Sequence, residues 1–177
     1  MLDLETLGTH PDCVVLTFGA IKFDPYSLDE PGPGIYFRLD IEEQLALGRS
    51  TLDSTIEWWA KQDPRVREEA MGETGERIKL AEFRRELNKF LVGVEYIWAQ
   101  GPAFDIVILE DLYRSQCWPI PWHFWQIRDS RTLFGVHGDP REEGRDQAHN
   151  ALMDCYYQAI GVQKIYNQQG VKPKDRS

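Results

Sequence analysis

Asp3 and Glu5 stand two apart in the apolar stretch Met-Leu-Asp-Leu-Glu-Thr-Leu-Gly at residues 1–8. Side chains alternate along an extended strand, so both carboxylates leave the same face. Two acids on one face of a buried strand are costly unless a cation sits between them. Oxygen-only donors suit a hard divalent ion, Mg²⁺ or Mn²⁺. Such a pair alone is usually just solvated, and the weight comes from three further residues. Asp105 follows Trp98-Ala-Gln-Gly-Pro-Ala-Phe, just past a short apolar segment and at the start of a helical one. By itself it would serve the helix dipole. His149 and Asp154 are five apart, and five residues turn a helix by about 500°, so they share no helical face. The spacing works if His149 lies in the preceding loop and Asn150 caps the helix that carries Asp154. His10, His123 and His137 have no comparable carboxylate partner.

These residues need a scaffold to bring them together. A turn at Thr9–Asp12 separates the first strand from a long apolar one, Cys13–Phe23. A proline-rich hairpin loop, Asp24–Gly34, leads to a half-buried strand at Ile35–Ile41. Three strands joined by turns predict an antiparallel meander. Short helical segments follow at Glu42–Leu47 and Arg65–Met71. Between them Asp53 or Ser54 is expected to cap a helix carrying Ile56, Trp58, Trp59 and Ala60. Leu80, Phe83 and Leu87 recur at helical spacing within Ile78–Leu91. Tyr96–Ala99 reads as a strand, Phe104–Tyr113 as a helix, and Trp125–Asp129 as a last strand leading to Ser130–Leu133. Gly135–Ala148 reads as a charged loop. Ala151–Asn167 is a helix with Leu152, Cys155, Tyr156, Ala159, Val162 and Tyr166 inward. The order predicts a mixed sheet with helices on both faces, in which sites gather at strand ends. A single domain over residues 1–177 is expected, with a frayed tail from Gly170.

Bulk composition narrows the classes. A chain of 177 residues with 42% hydrophobic side chains and six Trp can bury a substantial core. Cys13, Cys117 and Cys155 form neither disulfide nor zinc spacing, which fits a reducing cytosol. No signal-like segment or apolar run near a membrane span is present, so a cytoplasmic protein without membrane contact is expected. Twenty basic against 29 acidic residues leave a net charge of −9. That argues against a nonspecific nucleic-acid coat, but not against an enzyme whose metal ions supply local positive charge.

Asp3-Leu-Glu5, Asp105 after a middle strand, and His149-x-Ala-x-x-Asp154 on the last helix together resemble the DEDDh 3′–5′ exonucleases. The resemblance covers nearly the whole chain in the right order. The segment Thr55-Ile-Glu-Trp-Trp-Ala-Lys-Gln62 further resembles the phage-type and mycobacterial-type exoribonuclease subgroup, from bacteria or their phages. Asn150 stands where the tyrosine variant of the superfamily has its Tyr, so the histidine form is implied.

The resemblance implies an RNase H-like α/β fold with a mixed five-stranded sheet, three antiparallel strands followed by parallel ones. It implies hydrolysis of single-stranded RNA or DNA from a free 3′ end to nucleoside 5′-monophosphates. Asp3, Glu5, Asp105 and Asp154 would hold two Mg²⁺ or Mn²⁺ ions, with His149 as general base. Thr6 and Leu7 would lie against the terminal sugar. Trp58 or Trp59 would stack a base, Arg141 or Arg145 would meet phosphate, and a homodimer is allowed. Two alternatives stand beside this reading: an RNase H-type endonuclease and a non-catalytic nucleic-acid-binding homologue.

Overall fold

A computed structural model describes residues 1–141 and 150–173. Strands β1 (Leu2–Thr6), β2 (Val15–Ile21) and β3 (Gly34–Arg38) form an antiparallel sheet in that order. The register sets Asp3 opposite Gly19 and Glu5 opposite Thr17. Leu2 and Leu4 are buried while Asp3 and Glu5 keep part of their surface open, as a period of two dictates. The central strand β2 is buried along its whole length, because layers cover both of its faces.

The chain continues through α1 (Ile41–Ala46), α2 (Asp53–Ala60), α3 (Pro64–Met71) and α4 (Leu80–Phe90). Next come β4 (Ile97–Ala99), α5 (Asp105–Ser115), β5 (Ile127–Asp129), α6 (Ser130–His137) and α7 (Ala151–Gln168). On one face, Leu2, Leu4, Phe18 and Ala20 pack with Leu80, Phe83 and Leu87 of α4 and with Ile108, Leu109 and Leu112 of α5. On the other, α7 lays Cys155, Ala159 and Val162 against Ile21 and Trp98. A third cluster joins Leu7, Val14 and Leu16 to Trp59 and Ala70. None of the helices among the described residues is long and apolar enough to cross a membrane.

The strands do not form one five-stranded ladder. β4 pairs with β5 in parallel as a separate two-stranded sheet. β4 lies against β1, but it is three residues long, and the Leu4 N–H donates instead to the Asp105 carboxylate at 3.2 Å. A side chain has taken a donor that a ladder would have used.

Two other expectations change. Leu52, not Asp53 or Ser54, is the N-cap of α2, and no side chain caps that end. Gly135 does not open a loop: α6 runs on to His137, capped by the Asp129 carboxylate and anchored by buried Phe134. Gly135 faces open space there, and the helix stops at Gly138, whose φ of 85° only glycine adopts easily. The rest of the expected loop, 142–148, with Arg145, and His149 after it, lie outside the described residues, as do 174–177 of the tail.

Candidate active site

Strand alternation sends Asp3 and Glu5 from β1 toward the N-terminal end of α7, and there Asp154 meets them. One ligand oxygen from each of Asp3, Glu5 and Asp154 lies within 4.8 Å of the others. Two local features hold α7 in reach. Asn150 is its N-cap, as its position before Ala151 predicts, with the side-chain oxygen accepting from the N–H groups of Leu152 and Met153 at 3.2 and 3.1 Å. Gly19 supplies the clearance: a Cβ there would collide with the Ala151–Leu152 peptide. The Cys155 thiol closes the same contact by donating to the Gly19 carbonyl at 3.3 Å.

Asp105 is the first residue of α5 and is buried. Its hydrogen bond from Leu4 N–H ties it to the strand residue between Asp3 and Glu5. Among the described residues no Lys or Arg forms an ion pair with Asp3, Glu5 or Asp105.

The electrostatic result is a set of carboxyls that resist ionisation. Burial first, then the charges of Asp105, Glu5 and Asp154, hold Asp3 well above the usual carboxylate range. Glu5 is pushed up to about 8 by burial and by Asp154 and Asp105. Burial raises Asp105 as well, opposed by its backbone hydrogen bonds and by the more distant Arg131. Hard oxygen donors that disfavour one another's charge fit a divalent cation, whose own charge would reverse these shifts.

The remaining candidates divide. Trp59 is buried, its indole N–H donating to the Thr6 carbonyl at 2.9 Å, so its ring is a core element rather than a platform for a base. Trp58 crosses it edge-on and is 40% exposed. Thr6 is buried with its hydroxyl on the Gly8 carbonyl. The Leu7 N–H is bonded to Val14 and its carbonyl accepts from Leu52, so a Leu7 donor contact to a sugar would have to break an internal bond. Arg141, expected to meet phosphate, is bonded to Asp139 and to Gln100 and lies over the Phe134 ring.

Sequence reasoning missed one residue of this neighbourhood. Gln158 is buried, and its Nε2 donates to Asp3 Oδ1 at 3.2 Å. The available signal was its spacing of four from Asp154, which puts both on one face of α7. A separate open groove of about 530 Å³ between β3 and α3, lined by Arg38, Arg65 and Glu69 among others, contains none of the clustered acids.

The family described as Rv2179c-like, the 3'-5' exoribonuclease Rv2179c-like domain, matches residues 1–166. A protein named Exodeoxyribonuclease from Enterobacteria phage T4 is 29% identical over 157 residues, covering 75% of this chain and 68% of its own length.

Proposed function

Given that the chain belongs to the Rv2179c-like 3′–5′ exoribonuclease domain family and is a 3′–5′ exonuclease, we propose that it shortens single-stranded nucleic acid from a free 3′ end. RNA is the preferred substrate, DNA the second, and the products are nucleoside 5′-monophosphates. The fold on this reading is RNase H-like and the site is of the DEDDh type.

The observation that carries the reading is the convergence of Asp3, Glu5 and Asp154 within 4.8 Å, with no basic side chain paired to Asp3 or Glu5 among the described residues. Asp3, Glu5 and Asp154 would hold one Mg²⁺ or Mn²⁺, and Asp3 with Asp105 a second. Such a pair, when bound, stabilises charge on both the attacking and the leaving oxygen of an in-line displacement. His149, next in sequence to the α7 cap, takes a proton from the attacking water, a role suited to an imidazole. Water attacks the phosphorus, the 3′ oxygen of the preceding nucleotide leaves, and the phosphate departs on the 5′ carbon of the released nucleoside. Trp58 is the exposed member of the tryptophan pair and the one assigned to a base. Support for RNA comes from the family description; the phage relative's name keeps DNA as a substrate to be tested.

Matched RNA and DNA oligomers, linear with a 5′ label and circular with an internal label, test this directly. A ladder shortening by single nucleotides from the 3′ end, abolished by EDTA, is expected. Efficient cutting of a circle would establish the endonuclease reading instead. His149→Ala should lower kcat by roughly 10²–10⁴-fold and remove the acid limb of the pH–rate profile, with metal affinity retained. Loss of Mn²⁺ binding in that variant would make His149 a ligand and place the base elsewhere.

A further inference from the structure

Gln158 sits on α7 one turn beyond Asp154, with 3% of its surface exposed. A buried amide is costly unless its donors and acceptor are used. Its Nε2 donates to Asp3 Oδ1, but its Oε1 is sealed from solvent and has no donor among the described residues. Rotating the amide by half a turn does not help. It would aim Oε1 at the Asp3 carboxyl, and an acid kept ionised by a bound cation accepts only. The amide therefore faces Asp3 with its donor, and an acceptor is left over beside a cluster of acids. Gln163 on the same helix, equally buried, provides the contrast. Its Nε2 donates to the carbonyls of Asp24 and Asp29, both at 3.0 Å, and its Oε1 is not orphaned.

Resting on the two-metal reading of the site, we infer that Gln158 is a positioning residue of the metal site, fixing the Asp3 carboxylate through Nε2 while its Oε1 accepts from a water that arrives with the hydrated cation. Partners of this kind orient a ligating group and satisfy the site around it, and removing one typically costs 10–100-fold in metal affinity. In this role the amide also explains why Gln rather than Leu occupies an otherwise apolar stripe with Cys155, Ala159 and Val162.

The test is Mn²⁺ binding measured by electron paramagnetic resonance and calorimetry on the full chain without substrate. Gln158→Met keeps the volume and removes both polar atoms, and its Mn²⁺ affinity should fall about 10–100-fold. Gln158→Asn, one methylene shorter, should lose the contact to Asp3 and show a similar fall, which covers the case in which the Met variant fails to fold. Gln163→Met, a loss of buried amide remote from the acids, should leave Mn²⁺ affinity within about twofold of wild type. Mn²⁺ affinity at the wild-type level in either folded Gln158 variant overturns the inference. So does an equal loss in Gln163→Met, because the effect would then be one of general stability. Failure of the wild-type protein to bind Mn²⁺ would strike the two-metal reading itself, a result distinct from either.

Discussion

Two regions of this molecule bury charge, and they handle it in opposite ways. Beside α1 and α3 stand two arginines, buried Arg49 and half-buried Arg77, that donate into the chain's own acceptors. Arg49 donates to the Cys13 and Pro11 carbonyls and to Asp111. Arg77 donates to the carbonyls of Leu16, Leu39, Ala70 and Gly72. At the meeting of β1 and α7 the charges are carboxylates, and no lysine or arginine among the described residues pairs with Asp3, Glu5 or Asp105. The first region is closed in that these donors are used within the fold, and its contribution is to stability. The second leaves Asp3, Glu5 and Asp105 without a basic partner among the described residues, and the proposed metal ions would supply the missing charge. A charge the fold has already neutralised can do little chemistry; one it has left uncompensated can.

The sharpest break of this contrast is Asp3→Asn. It should cost about 10³-fold or more in hydrolysis, equivalent to several kcal/mol of lost charge stabilisation. The same variant should melt higher than wild type in EDTA, since it relieves repulsion among the acids. A variant with wild-type turnover would remove Asp3 from the site.

Next in size is the pH dependence of stability without metal. Glu5 is raised from 4.5 to about 8 in the folded protein. The folded state thus keeps a proton that the unfolded chain releases. The stabilisation is full below about pH 4.5 and is lost as pH rises through about 8. Melting temperature in EDTA should therefore fall from pH 5 to pH 8, by an amount corresponding to a few kcal/mol at most. Saturating Mg²⁺ should flatten the curve by binding only the folded, ionised form. A flat profile in EDTA would mean that the acids are neutralised by the chain after all.

The closed region should respond differently. Arg49→Met leaves two carbonyls and the Asp111 carboxylate without their donor, at about 2–3 kcal/mol in chemical denaturation. The turnover of the protein that remains folded should be unchanged. A selective loss of kcat would show that the two regions are not independent.

The smallest effect belongs to Asn150→Ala, which removes the α7 cap at about 1 kcal/mol. Asn150→Ser, which keeps a capping oxygen without setting a carboxylate against Glu69, should recover most of it.

The parts of this site that local rules govern were legible in the sequence. Alternation placed Asp3 and Glu5 on one face, and the cap preference of Asn150 set the start of α7 and hence the position of Asp154. The antiparallel order of the first three strands followed from the turns between them. What could not be read depends on packing between distant elements. Trp58 and Trp59 are chemically identical neighbours, and only the docking of α2 against β1 sends one inward. Gln158 looks like a surface residue until α7 lies on β1. At the break between the two sheets Leu4 gives its N–H to Asp105, a residue 101 positions away. Gly135 misled because glycine ends a helix only when its φ is needed, and here Gly138 supplies that turn.

The span of the chain across the acid cluster has a consequence for the protein's synthesis. The Asp3–Gln158 contact joins residues 155 apart, and Glu5 and Asp154 are drawn from the same two extremes. Contacts of such sequence separation form late, after the intervening elements have been ordered. A chain still on the ribosome, with α7 inside the exit tunnel, can display Asp3 and Glu5 but not Asp154 or Gln158. On the proposed reading, an enzyme that degrades nucleic acid would thus stay inert beside the message encoding it until residue 158 has emerged and docked.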